Sequence, residues 1–338
     1  MSHLPAPASP LAPWLASQLK DLSARTHHAL LLEGPSGLGQ IDLALALAHT
    51  RLCDTHGSLG GCGHCDSCQM LRARTHPDLL LLAPEVLLLD WEWPMDEKQL
   101  ADLQGGKDRK PSKEIRVEAM RAAIEFCQRT SARNKGKVVL IHPAERMNAV
   151  TANALLKTLE EPSGELLFVL SSEASHLLLP TIRSRCQSHR MAWPSPHEAI
   201  EWLERQDQGA EAVRLLGAAG QRPALALSMA QSGKQAQQWA TLPKALAQGR
   251  ADAFDGFSGT ELVGVMQKIA HDMWLVFAGA EPRFFAADDL PACRNVRALQ
   301  DWTLELSRLA RVAEHPFSAP LFLHALVTHG QSAVNSRP

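Results

Sequence analysis

The first residues spaced for chemistry are the glycines of Gly34-Pro35-Ser36-Gly37-Leu38-Gly39, which follow the apolar run Ala29-Leu30-Leu31-Leu32. A buried strand, a tight glycine turn and then a helix make the outline of a phosphate-binding loop, whose backbone N–H groups cradle an anion. The working pattern, G-x-x-x-x-G-K-[ST], next requires a lysine for the β- and γ-phosphates and a hydroxyl for Mg²⁺. Gln40 and Ile41 stand in those two places. A neutral amide replaces the cation and an alkyl group replaces the metal ligand, so the stretch reads as a nucleotide fold without nucleotide hydrolysis.

A second group is Cys53, Cys62, Cys65 and Cys68, in the pattern C-x8-C-x2-C-x2-C, with Gly57, Gly60, Gly61 and Gly63 allowing turns that aim the thiols inward. Four thiolates at this spacing predict a closed tetrahedral zinc site with no open position for water, hence a structural metal. His56 and His64 then read as solvent-facing. A third place is the end of the apolar run Lys137-Val138-Val139-Leu140-Ile141, which continues His142-Pro143-Ala144-Glu145. In P-loop ATPases such a strand ends in carboxylates that hold Mg²⁺ and orient the attacking water. Here the first two places have no acid and Glu145 falls on the following turn. The lysine, the metal hydroxyl and the strand-end acids are thus missing together, which is consistent across levels.

The elements that position these residues alternate between strand and helix. Trp14 to Leu22 predicts a short helix, Asp42 to His49 the helix after the glycine turn, and Asp78 to Ala83 a second strand. Ile115 to Arg129 carries an imperfect helical stripe, and Leu166 to Leu170 reads as a further strand. Met147 to Glu161 predicts a helix stopped by Pro162, with Val150, Ala154, Leu155, Leu156 and Leu159 on one side. Trp91 to Lys113 loses all periodicity, passing from Glu92, Asp96 and Glu97 to Lys107, Arg109, Lys110 and Lys113; it reads as a mobile, solvated insertion. Three short helices, Pro196 to Arg205, Ala210 to Ala218 and Pro223 to Ala230, are separated by Gly209 and Gly220 and suggest a small helical lid. Beyond Gly233 the pattern is helical, with one stripe at Leu262, Val265, Met266, Ile269 and Met273 and another at Val296, Leu299, Trp302, Leu306 and Leu309.

At 338 residues the chain exceeds one ordinary core, and two or three domains are expected. A formal charge of −2 lacks the strongly basic footprint of a stand-alone nucleic-acid binder. Met1 to Pro13 does not read as a signal peptide, and no apolar run reaches membrane-spanning length. Seven cysteines, four of them clustered, point to a reducing compartment and a cytoplasmic address.

The segment Thr151-Ala152-Asn153-Ala154-Leu155-Leu156-Lys157-Thr158-Leu159-Glu160-Glu161-Pro162, followed by Ser184-Arg185-Cys186, resembles the clamp-loader branch of the AAA+ proteins. The resemblance covers nearly the whole chain and is strongest from residue 29 to 190. It implies an α/β fold: an AAA+ RecA-like parallel sheet over residues 1–193, with a zinc-binding module at 53–68 and a variable insertion at 91–113. A three-helix lid over 194–232 and an all-α collar over 233–338 would follow. It further implies that Arg185, between Ser184 and Cys186, is an arginine finger reaching the γ-phosphate held by a neighbouring subunit. A guanidinium suits that task because it is planar, permanently charged and forked. The implied partners are the gamma/tau motor subunits and the delta clamp-opening subunit of the DNA polymerase III clamp loader, and through them the sliding clamp and primed DNA. The implied role is a non-hydrolysing stator with structural zinc and no ATP of its own on the degenerate loop Gly34, Gly37, Gly39, Gln40, Ile41. Ser172 lies near the phosphate-sensing residue of active relatives but reads as a strand-end serine capping its own backbone. Arg222, at the place of a nucleotide-sensing arginine, reads as a helix-start surface residue.

Two other readings are weighed against this one. An independent ATPase with an unusual loop would hydrolyse ATP as an isolated chain. A zinc-dependent nucleic-acid module would need basic or aromatic residues among the cysteines, and Gly57 to Gln69 has none.

Overall fold

The computed structural model describes residues 11–55, 57, 59–95, 110–206, 208–232, 236–313 and 318–337. The chain divides into two compact units, Met1–Glu198 and Ala199–Pro338.

In the first unit α1 (Pro13–Ser23) precedes β1 (Ala29–Glu33), α2 (Gln40–Leu52), α3 (Asp66–Arg72), β2 (Leu79–Leu82) and α4 (Glu85–Asp90). Then come α5 (Val117–Gln128), β3 (Lys137–Ile141), α6 (Ala149–Glu160), β4 (Leu166–Ser172), α7 (Pro180–Arg183) and β5 (Gln187–Arg190). The five strands form one parallel sheet in the order β2-β3-β4-β1-β5. β1, β3 and β4 are interior strands covered on both faces, which is why they are continuous apolar runs without alternation. Ala29 pairs with Phe168, Val139 with Phe168 and Leu80 with Val139, and Phe168 and Val139 are fully buried.

In this unit the fold departs from the sequence expectations at Val150 and Trp91, and it adds a strand, β5, that the hydrophobic pattern does not announce. β5 has no apolar pattern, yet it pairs with β1 through Leu30↔Gln187 to Glu33↔Arg190; an edge strand needs only backbone donors and acceptors on one side. Val150, expected on the buried face of α6, is 66% exposed, because the buried face runs through Thr151, Ala152, Leu155 and Leu159. Trp91 is buried and stacks on His142 with ring centres 5.6 Å apart, so the start of the expected 91–113 insertion belongs to the core. Residues 96–109 of that insertion lie outside the described residues.

The helix α8 (Pro196–Glu204) spans the boundary between the units. In the second unit it packs with α9 (Ala212–Ala218) and α10 (Pro223–Gln231) around Ala199, Leu203, Leu215 and Ala226. A larger core is built by α11 (Ala236–Gln248), α12 (Gly259–Phe277), α13 (Val296–Ala310) and α14 (Ala319–Asn335). The stripe Leu262, Val265, Met266, Ile269 and Met273 is buried as its spacing predicts, whereas Val296 of the second stripe is 37% exposed. The start of α12 is closed by a reciprocal cap: Ser258 accepts from the Glu261 N–H and Glu261 accepts from the Ser258 N–H.

A strap at residues 283–285 joins the two helical clusters of this unit. The buried Asp272 carboxylate of α12 accepts the N–H groups of Arg283, Phe284 and Phe285 at 3.0, 2.6 and 2.9 Å. Phe285 stacks on Trp239 of α11, and Arg283 donates to the Gly220 carbonyl at 3.1 Å. Gly220 has φ +63°, and a Cβ there would lie 2.7 Å from the Phe284 ring. Lys268 donates to the Ala218 carbonyl and lies over the Trp239 ring at 4.7 Å.

Candidate functional site

The glycine turn joins the carboxyl end of β1 to the start of α2. Gly39 is the N-cap of α2 in a left-handed conformation with φ +93°, and a Cβ there would meet Leu15 of α1 at 2.7 Å. Only glycine fits, for backbone and for space. The Gln40 side chain is buried and folds into the turn, its amide donating to the Gly34 and Pro35 carbonyls at 2.6 and 2.9 Å. Both amide hydrogens are therefore spent on the turn itself. Trp14 donates to the Leu38 carbonyl at 3.0 Å, and Leu38 and Ile41 are buried. In the first turn of α2 Asp42 keeps some surface, but its Oδ1 is shielded from solvent without a hydrogen-bond partner. Burial raises its pKa from 3.8 to about 6 against the pull of its own backbone N–H. An acid near the positive end of the helix is an anion that the chain itself supplies there.

The end of β3 is equally unlike a hydrolytic site. His142 is buried, its Nδ1 lies 2.7 Å from the Ser171 hydroxyl, and burial lowers its pKa to about 4, leaving a neutral ring at pH 7. Glu145, on the next turn, accepts the Glu173 N–H at 3.0 Å. Ser172 accepts the Ala174 N–H at 3.2 Å, the local cap expected of it. Arg222 is the N-cap of α10 and donates to the Ala219 carbonyl at 2.8 Å.

The four cysteines converge at the far end of α2. Cys53 ends that helix, Cys65 is the N-cap of α3 and Cys68 lies in its first turn. All four sulfurs lie within 4.8 Å of one another, with Cys53 to Cys65 and Cys62 to Cys68 at 3.9 Å and Cys53 to Cys68 at 3.7 Å. A tetrahedron with Zn–S bonds of about 2.3 Å has sulfurs about 3.8 Å apart, so the donor set fits zinc. Backbone N–H groups of Cys62, Cys65 and Cys68 point at the sulfurs of Cys53, Cys62 and Cys65. The thiols are unequal: N–H groups of His64 and Cys65 pull Cys62 down to about 5, while burial pushes Cys68 up to about 12. A central divalent cation is what would let all four be thiolates. The module is tied back through Asp54, which accepts from the Ser67 hydroxyl at 2.8 Å and pairs with Arg133 at 3.1 Å. His64 is exposed, and His56 lies outside the described residues.

Arg185 follows α7 and precedes β5. Its Nε donates to Glu160 Oε1 at 2.7 Å, Nη2 bonds the same oxygen, and Nη1 donates to the Thr181 carbonyl at 2.8 Å and reaches the Ser184 hydroxyl at 3.4 Å. Cys186 beside it is half-buried against the core of the sheet, and desolvation raises its thiol to about 12, hence an inert packing residue.

The three places do not meet. The glycine turn and Cys53 are separated by α2, whose 13 residues span about 20 Å. Arg185 lies at the amino end of the sheet: Gln187 is level with Leu30, whereas the turn begins at Gly34, past the carboxyl end of β1. At about 3.3 Å per residue, five to six residues put Arg185 roughly 17–20 Å from its own chain's turn. Sequence reasoning missed Glu160 and the folded-in Gln40 side chain. An acid as the last helical residue before Glu161-Pro162 was the available signal for the first; nothing local announced the second.

A parallel sheet in the order β2-β3-β4-β1-β5, with a glycine turn leading from an interior strand to a helix, defines a P-loop protein of the AAA+ class. The family model for "DNA polymerase III, delta subunit" matches residues 13–194. DNA polymerase III subunit delta' of Pseudomonas aeruginosa is 34% identical over 316 residues, 87% of this chain and 89% of the relative. The Escherichia coli subunit delta' is 36% identical over 245 residues, covering 70% and 65%, and that of Bacillus subtilis 32% identical over 192 residues, covering 57% and 50%. The chain belongs to the family of DNA polymerase III delta' subunits, a family of DNA replication. A solved gamma-subunit-related protein of Thermotoga maritima overlaps 94% of this chain and 100% of its own, at 17% identity and a TM-score of 0.49; that overlap is too loose to bear on function. Among the described residues no helix is long and apolar enough to cross a membrane.

Proposed function

We propose that this chain is a non-hydrolysing stator subunit of the clamp loader of the replicative DNA polymerase, lending Arg185 in trans to a neighbouring motor subunit. The observation that carries the reading is the position of Arg185 at the amino end of β5, across the sheet from the Gly34–Gly39 turn. From that end a side chain cannot reach a phosphate on its own turn, so any phosphate it meets must be brought by another subunit. In this reading the gamma/tau motor subunits supply the ATP, the delta subunit opens the sliding clamp, and primed DNA is met through the complex in the cytoplasm. Residues 194–232 form the lid and 233–338 the collar that holds the ring of subunits. No turnover by this chain is expected, because Gln40 binds carbonyls within the turn, Ile41 offers no metal ligand, and His142 and Pro143 stand where acids are needed. Cys53, Cys62, Cys65 and Cys68 would hold zinc, which would brace residues 53–68 and take no part in a reaction.

The test is the DNA- and clamp-stimulated ATPase rate of a reconstituted complex carrying Arg185→Ala, with assembly shown intact by size. Arginine fingers contribute about 10³ to 10⁵ in rate at the site they serve, so that site's share of turnover should vanish. An unchanged rate in an intact complex would leave scaffolding alone. ATP turnover by the isolated chain, abolished by changing Gly39, would overturn the non-hydrolysing reading.

A further inference from the structure

The first carboxylate of Glu160-Glu161-Pro162 is oddly placed. Glu160 is the last residue of α6, where unpaired carbonyls make the helix end negative and an acid is disfavoured. The cation that compensates it is Arg185, which comes from beyond α7. Nε and Nη2 of Arg185 both engage Glu160 Oε1, and Nη1 is held by the Thr181 carbonyl and the Ser184 hydroxyl. All three guanidinium nitrogens thus have partners inside the chain, and the fork that would grip a phosphate is folded against the end of α6.

We propose that Glu160 is a positioning residue for Arg185: it holds the guanidinium folded back until the phosphate of a neighbouring subunit's nucleotide displaces it. This rests on the arginine-finger reading given above. The strength of the pair suits a device of this kind. The side chains are 30% and 48% exposed, and an ion pair this open shifts an equilibrium by no more than about fivefold. A finger contributes about 10³ to 10⁵ once engaged. The carboxylate therefore biases the arm without blocking it, and a polyphosphate of higher charge wins the exchange. Glu160 sets how often the arm is folded while no partner phosphate is in reach.

The experiment uses the assembled clamp loader carrying Glu160→Gln, which keeps the length and an acceptor oxygen but removes the charge. Its ATPase rate is measured without DNA and clamp, the state in which the proposal has the arm folded most often, and again in an Arg185→Ala background. The expected result is a rise of up to about fivefold in the unstimulated rate, absent when Arg185 is alanine. An unchanged or lowered rate, or a rise that persists without Arg185, overturns the proposal. If Arg185→Ala by itself fails to lower the stimulated rate, the arginine-finger reading falls. If it lowers that rate while Glu160→Gln leaves the unstimulated rate unmoved, only the role of Glu160 falls.

Discussion

Replacing Asp272 with alanine should loosen the strap at residues 283–285, and the size of the effect follows from its contacts. The carboxylate is fully buried and accepts three backbone N–H groups, at 3.0, 2.6 and 2.9 Å, and its Oδ1 lies 2.9 Å from His271 Nδ1. Hydrogen bonds to a charged group contribute about 1.5–3 kcal/mol each, so three would sum to about 5–9 kcal/mol if they were independent. They share one side chain and are not independent, and water can enter the space that alanine leaves. Removing one partner from a buried charged network costs about 3–5 kcal/mol, and we expect about 3–4 kcal/mol for Asp272→Ala. Asp272→Asn keeps the shape. With its oxygen in the Oδ2 position it still serves Phe284 and Phe285 but turns its NH₂ toward the Arg283 N–H, a loss of about 2 kcal/mol. The assay is native-state hydrogen exchange of amides 283–285. A local loss of about 3–4 kcal/mol lowers their protection by a factor of about 10² to 10³, provided exchange proceeds by local opening. Protection in the alanine variant within about threefold of the parent would mean that these amides are held by something other than Asp272, and the strap argument would fail.

Two further outcomes follow. Cys65→Ser combined with Cys68→Ser should abolish zinc binding, measured by atomic emission on the purified chain, and raise hydrogen exchange in residues 53–72 while leaving that of β5 unchanged; full metal content in the double variant would refute the ligand set. Burial raises the Asp42 pKa from 3.8 to about 6, so the folded state binds that proton more tightly than the unfolded chain. Stability from this group is then greatest below about pH 4 and is lost as pH rises toward 6 and beyond. Asp42→Asn is expected to stabilise the first unit by about 1–2 kcal/mol at pH 7, discounted for the residue's partial exposure, with the gain fading by pH 4. Urea midpoints that differ equally at both pH values would refute the assignment.

Much of this protein is legible in the sequence alone because the deciding interactions are local. Interior strands buried on both faces must be apolar throughout, so β1, β3 and β4 announce themselves. A turn that needs φ of +93° beside Leu15 must hold glycine, and thiols that share one cation must be spaced in pairs. The places of the missing lysine, hydroxyl and acids can likewise be counted along the chain. What the chain alone does not reveal is decided by contacts between distant segments. β5 is polar because only its backbone is used, Val150 faces outward because the buried face of α6 is set one residue away, and Trp91 is buried because His142 lies opposite it. Gln40 reads as a simple loss until its amide is seen bonding within the turn, and Asp272 as one more acid until three amides converge on it. The end of the sheet at which Arg185 stands follows from the parallel register of β5 on β1, and its grip on Glu160 from two helix ends that meet across 25 residues. Spacing along a chain encodes residue types and local geometry; which charges face each other, and which face a neighbour, is an outcome of packing.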